Sequence, residues 1–220
     1  IIAGGPAVFN PEPVAPIFDL FLVGDGEEAF IEIIEKYITL KQELKEKSAV
    51  LKEMAKIKGV YVPSLYTTYQ PRNSFLMAVK PDNSVPEKIE KRVRFPFHEA
   101  PFPEKIVVPN INVIFNRVAV EVARGCYHKC RFCQALSIYF PHRVKSPSFV
   151  LKKVLESLRL TGYEDTSLFS LSISDYPYLG EVVETLMTEL EKQRISLSLS
   201  SLRPKGLSSE IAKNITRVRK

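Results

Sequence analysis

No stretch of this sequence reaches the roughly 18 to 20 consecutive apolar residues that a membrane span requires. Nor does a basic segment followed by an apolar one open it, as a secretory leader would. Membrane insertion and secretion are therefore not expected, and the cytoplasm is the expected compartment. Cysteine is scarce, with three in 220 residues. An odd number of cysteines packed into one loop cannot build a disulfide framework, which again favours a reducing compartment. An initiator methionine is missing too: the chain opens at Ile1 within an apolar Ile-Ile-Ala-Gly-Gly-Pro run and reads as a piece of a longer protein. Disorder is not indicated, since 45% hydrophobic and 25% charged residues are ordinary for a globular protein.

What is present begins with a modest positive balance. The 31 Lys and Arg against 25 Asp and Glu give a formal charge of +6, which favours anionic partners without demanding nucleic acid. Along the chain, residues 1–3 read as the end of a buried strand, broken by Gly4-Gly5-Pro6. Asn10 is placed to cap a short helix entered through Pro11 and Pro13. A strand over 20–23, the turn Gly24-Asp25-Gly26 and a helix with apolar positions Ala29, Phe30, Ile33, Ile34 and Tyr37 form a βα unit. The charged stretch 41–58, with Leu44, Leu51, Met54 and Ala55, is expected to continue as helix to Gly59.

Between 60 and 116 prolines recur, and aromatic and β-branched residues come in short bursts. This predicts a loop-rich connector with one hairpin, 74–80 against 91–95. From 117 onward the pattern is regular: strand 118–122, helix 147–160, strand 167–174, helix 179–193, strand 195–201 and helix 208–218. Strands alternating with helices predict parallel pairing. The expected class is α/β, with divisions at 1–58, 59–116 and 117–220.

All three cysteines fall within eight positions, in Arg124-Gly-Cys126-Tyr-His-Lys-Cys130-Arg-Phe-Cys133. Scattered at random, three cysteines would crowd this closely on the order of once in a few hundred chains, so the clustering has a cause. Offsets of four and seven would put them on one face of a helix as a buried stripe, but Arg124, His128, Lys129 and Arg131 leave little apolar surface around it. Structural zinc, with His128 or His142 as fourth ligand, is the stronger alternative, and with the basic flanks it describes a zinc-stabilised nucleic-acid-binding module. A 4Fe-4S cluster held by three thiolates leaves one iron open to a non-protein ligand. The loop follows the first strand of the parallel series, where α/β enzymes place their chemistry.

Cys-x-x-x-Cys-x-x-Cys with Phe132 before the last cysteine, set after such a strand, resembles the signature of the radical S-adenosylmethionine (SAM) superfamily. The resemblance extends through Glu121-Val-Ala-Arg-Gly-Cys126, Gln134-Ala135, Tyr139-Phe-Pro-His-Arg143, Thr161-Gly-Tyr, Ser170-Leu-Ser-Ile-Ser-Asp175 and Ser200-Ser-Leu-Arg203, and covers nearly the whole chain. It is closest to an uncharacterised subgroup with an upstream cobalamin-binding-like domain. Gly4-Gly5 and Gly24-Asp25-Gly26-Glu27-Glu28 are similar to the glycine-rich segments at the end of that Rossmann-like domain.

The resemblance implies the tail of a Rossmann-like domain, a Pro-rich connector and the first three βα units of a partial TIM-type barrel. It implies that Cys126, Cys130 and Cys133 hold three irons of a 4Fe-4S cluster while SAM chelates the fourth. An electron from a flavodoxin- or ferredoxin-type donor would then yield a 5′-deoxyadenosyl radical that abstracts hydrogen from a substrate. Phe132 would lie near the adenine. Where relatives carry a Gly-Gly-Glu segment for the SAM amino group, this chain has Ser172-Ile-Ser174-Asp175, so Ser174 and Asp175 are the candidate contacts. Ser200 and Arg203 stand at the third strand's end, the Arg fork suited to the SAM carboxylate. Cobalamin is the further cofactor of a full-length parent, its cobalt-ligand segment lying before Ile1. Methyl transfer would fit that cofactor, and modification of RNA or a ribosomal component, or of another anion, would fit the charge. His128, His142 and Arg143 are expected to face solvent or an anionic substrate.

Overall fold

The computed structural model describes residues 1–43, 46–103 and 105–219, and the side chain of Lys205 is also left out of the description. The chain divides into two compact units, Ile1–Arg94 and Phe95–Lys220. The stretch 59–116 expected as a connector is thus shared between them.

In the first unit, β1 (Ile2–Ala3) runs parallel to β2 (Leu20–Leu22), and β3 (Val60–Tyr61) pairs antiparallel with β2, giving the order β1-β2-β3. Alternation along β2 sorts the core onto two faces. Leu20 and Leu22 join Ala29, Ile33, Leu40, Val50 and Met54 from helices α1 (Ala29–Glu43) and α2 (Lys47–Met54), whereas Phe21 and Val23 pack with Val8 and Tyr61. The charged stretch is therefore two helices rather than one continuation, and Leu44 lies outside the described residues. The predicted capped helix at Asn10 is instead a pair of 3-10 turns, Pro6–Phe9 and Glu12–Ile17, with Pro11 at the second cap. The prolines that suggested a helix start remove the donors an α-helix would need to continue.

The predicted hairpin is corrected. Strand β4 (Tyr66–Tyr69) pairs with β5 (Ala78–Pro81), not 74–80 with 91–95. Arg92 instead lies against the turn after β2: its N–H donates to the Val23 carbonyl (2.8 Å), and its carbonyl accepts from Asp25 N–H (2.9 Å). Gly24 sits at φ +113° with its α-carbon against the Arg92 backbone, a place no side chain could share. Arg94 pairs with Glu28, and its N–H donates to Asp25 Oδ2 at 2.7 Å.

In the second unit, β6 (Val118–Glu121) is followed by β7 (Ala123–Arg124), which pairs antiparallel with β8 (Arg143–Val144) beyond the short helix α3 (Ala135–Tyr139). Then come α4 (Pro147–Thr161), β9 (Asp165–Phe169), α5 (Leu179–Leu190), β10 (Ser196–Leu199) and α6 (Ser209–Ile215). Strands β6, β9 and β10 form a parallel sheet in the order β10-β9-β6, so the fold is mixed α/β with a parallel sheet, as expected. Helix α4 is delimited by its own residues: the Ser146 hydroxyl accepts from Phe149 N–H at 3.3 Å, Pro147 opens it, and Gly162 closes it in the left-handed region. On α5, Leu179, Val182, Val183, Leu186, Met187 and Leu190 recur at helical spacing and bury one face over the sheet. The second strand ends five residues earlier than predicted, because the chain turns through 3-10 geometry at Ile173–Asp175. Among the described residues no helix is long and apolar enough to cross a membrane.

Candidate metal centre

Three segments leave the carboxyl ends of the parallel strands. After β6 and β7 comes the cysteine loop, after β9 the turn with Ser174 and Asp175, and after β10 the segment with Ser200 and Arg203. The cysteine loop begins at Gly125, whose φ of +92° lies in the region that favours glycine. A β-carbon there would meet the Pro141 carbonyl oxygen at 2.5 Å and the Tyr139 oxygen at 2.7 Å. The loop is therefore seated on the backbone of 139–142, close to the β7–β8 ladder.

All three cysteines are free thiols, Cys126 half-buried and the other two exposed. The His128 N–H points at Cys126 Sγ (3.4 Å), and the Ala135 N–H points at Cys133 Sγ (3.4 Å). A turn bond from Cys133 N–H to the Cys130 carbonyl (3.0 Å) tightens the far end of the loop. Backbone donors aimed at sulfur stabilise thiolate charge, as they do around iron-sulfur clusters, and three thiols with two such donors are a set that a three-thiolate cluster could use. Among the described residues no three His, Cys, Asp or Glu side chains gather around one point as ligands of a single ion would. A 4Fe-4S cluster instead assigns its three cysteines to three different irons, so the sulfur set and its N–H donors fit that group.

Charge around the loop is arranged in two layers. Lys129 and Arg131 are exposed beside the cysteines. Arg124 pairs with Glu121 through two bonds, 3.0 and 2.7 Å, and lies over the Phe97 ring at 4.9 Å. The expectation that His128, His142 and Arg143 face solvent or an anionic substrate does not hold for Arg143. Arg143 is 6% exposed, stacked on Phe95 and Phe97, because its aliphatic stem and planar head are covered by aromatic rings. Lys145, 3% exposed, sits 4.2 Å over Phe149. His128 Nε2 is 2.6 Å from Asp175 Oδ2. His142 is half-buried with no hydrogen-bond partner at Nε2, and burial holds its pKa below the ordinary range; the Asp175 charge opposes this, while Arg143 and His128 reinforce it.

The other predicted contacts divide. Phe132 is 92% exposed and projects from the loop. The Ser174 hydroxyl accepts from Arg203 N–H (2.8 Å) and donates to the Arg203 carbonyl (3.3 Å), tying the ends of β9 and β10 together. Ser200 N–H donates to the Leu168 carbonyl at 3.3 Å, which keeps this residue against β9. The Arg203 side chain is exposed at the rim. Asp175 would be raised by its partial burial alone, but the Ser172 and His128 side chains, with Tyr127, hold its carboxyl below the ordinary range. The tie between Asp175 and the cysteine loop was not legible in the sequence. Its partners are 47 positions apart, and only the parallel order β6-β9 brings them together.

Residues 1–63 match the family model described as radical SAM proteins, N-terminal. An uncharacterized protein of Methanocaldococcus jannaschii is 25% identical over 215 residues, which is 96% of this chain and 39% of that protein. The solved structure of the cobalamin-dependent S-adenosylmethionine radical enzyme OxsB, with aqua-cobalamin and S-adenosylmethionine bound, is similar over 99% of this chain, with a TM-score of 0.53 and 17% identity. This chain spans 29% of that one. Over residues 1–63 the chain is thus similar to radical SAM proteins, in line with the resemblance read from the sequence. Its fold is similar to that of a cobalamin-dependent radical SAM enzyme.

Proposed function

We propose that this chain forms part of a radical SAM enzyme in which Cys126, Cys130 and Cys133 hold a 4Fe-4S cluster and the open iron is chelated by SAM. The observation that carries this reading is the loop itself: three thiols after the first parallel strand, two of them already met by backbone N–H groups. When bound, the cluster and SAM supply reductive cleavage of a sulfonium and hence hydrogen abstraction from a substrate. The chain's own residues bind and orient. Gly125 seats the loop, and the N–H groups of His128 and Ala135 offset charge at sulfur. The exposed Phe132 ring offers a stacking face for adenine, and the Arg203 fork a partner for the SAM carboxylate. Ser174, Asp175 and Ser200 complete the rim on which the amino-acid end of SAM would rest, with Ser174 fixing Arg203 through its backbone.

The reading extends to architecture and partners. Strands β6, β9 and β10 are taken as the first strands of a partial TIM-type barrel, and a cobalamin as a cofactor of the full-length protein. A flavodoxin- or ferredoxin-type donor meets the exposed Lys129 and Arg131 beside the cysteines, and a reducing cytoplasm keeps the thiols available. The formal charge of +6 suits an anionic substrate such as RNA. Anaerobic reconstitution with iron and sulfide tests the central point. Uptake of about four irons and four sulfides per chain, with a brown colour bleached by dithionite, supports it. A colourless chain holding one tight zinc would establish the structural-zinc alternative instead.

A further inference from the structure

The cysteine loop is held at its base by Gly125 and at its far end by the Cys130–Cys133 turn, which leaves the segment around Cys126 to be fixed by something else. Two contacts converge there. The His128 N–H reaches Cys126 Sγ at 3.4 Å, and the ring of the same residue reaches Asp175 Oδ2 at 2.6 Å, both partners being less than a third exposed. Asp175 is itself fixed: its N–H donates to the Ser172 carbonyl (3.1 Å) in the turn that leaves β9, and neighbouring Ser174 is locked to Arg203. The Tyr127 side chain lies toward the same carboxylate and packs edge-on against His142 at 5.2 Å.

We propose that Asp175 is a positioning residue for the cluster loop: it anchors the His128 ring to the end of the second parallel strand and so aims the His128 N–H at the Cys126 sulfur. Asp175 can act this way because its backbone belongs to a hydrogen-bonded 3-10 turn, while the loop it grips carries no regular structure from Gly125 to Lys129. The consequence for chemistry rests on the cluster reading above. A donor held on one ligating sulfur makes that sulfur less electron-rich, which raises the reduction potential of the cluster it binds.

The test has one arm that needs no cluster and one that does. In the metal-free 220-residue chain, hydrogen exchange over residues 126–133 is compared for the parent, Asp175→Ala and Asp175→Asn. Losing one ordinary hydrogen bond speeds exchange by about fivefold in Asp175→Ala, and Asp175→Asn, whose amide oxygen still accepts from the ring, stays within about twofold of the parent. Equal rates in all three overturn the clamp. Equal acceleration in both variants assigns the effect to the lost charge and overturns it as well. If Asp175→Ala loses its fold, seen as fast exchange in β6, β9 and β10, His128→Ala reads the same contact from the loop side, with the same expected acceleration. After reconstitution, the Asp175→Ala cluster has a more negative potential than the Asp175→Asn cluster, since both lack the carboxylate charge and only the asparagine still holds the ring; equal potentials in the two variants overturn the link to sulfur. Failure of the parent to take up iron refutes the proposed function, while the exchange rates still decide the clamp.

Discussion

Gly125→Ala is the perturbation that isolates how the cysteine loop is seated. At φ +92° an alanine is strained by about 1–2 kcal/mol. Its β-carbon would stand 2.5 Å from the Pro141 carbonyl oxygen and 2.7 Å from that of Tyr139, both backbone atoms that cannot swing aside as a side chain would. Overpacking of this kind costs about 1–3 kcal/mol more. The lower entropy of the unfolded alanine chain returns about 0.4–1 kcal/mol. The net destabilisation is therefore about 1–5 kcal/mol. Gly162→Ala is the internal control. It too has a positive φ, +71°, but nothing lies within 4 Å of a β-carbon there. It should cost less than about 2 kcal/mol. Equilibrium urea denaturation of the two variants gives the difference, which is the crowding alone. Equal destabilisation of the two would refute the claim that the loop is packed against 139–142.

Other consequences are separable. Ser146→Ala removes the oxygen that accepts from Phe149 N–H and should lower stability by about 1 kcal/mol in the same assay, without changing iron uptake. Met187→Ala empties a fully buried position between α5 and the sheet and should cost about 2–5 kcal/mol, read as a lower urea midpoint. Replacing Cys126, Cys130 or Cys133 singly by alanine should abolish stable uptake of about four irons per chain while leaving the far-ultraviolet circular dichroism unchanged, since Cys130 and Cys133 are exposed and Cys126 is only half-buried.

The α/β series was legible because its signals are local. The apolar positions of α5 repeat at helical spacing, Ser146 and Gly162 bracket α4, and strands separated by helices leave parallel pairing as the economical arrangement. The pieces missed are the ones set by distant partners. Tyr66–Tyr69 is a four-residue run among prolines, and its mate Ala78–Pro81 itself ends in proline, so neither shows a strand of ordinary length. Arg92 looked like a hairpin residue, yet the backbone it meets is that of Gly24, 68 positions earlier, an approach that only the missing β-carbon permits. At the site, the cysteine spacing disclosed the candidate ligand set, whereas the contact of Asp175 with His128 depends on β6 lying beside β9, a tertiary fact with no local pattern.

The central claim is that three thiolates leave an iron for SAM. The most direct measurement is the electron paramagnetic resonance spectrum of the anaerobically reconstituted, dithionite-reduced chain with and without SAM. The account predicts a reduced-cluster signal whose g values shift when SAM is added. A cluster signal indifferent to saturating SAM would contradict it.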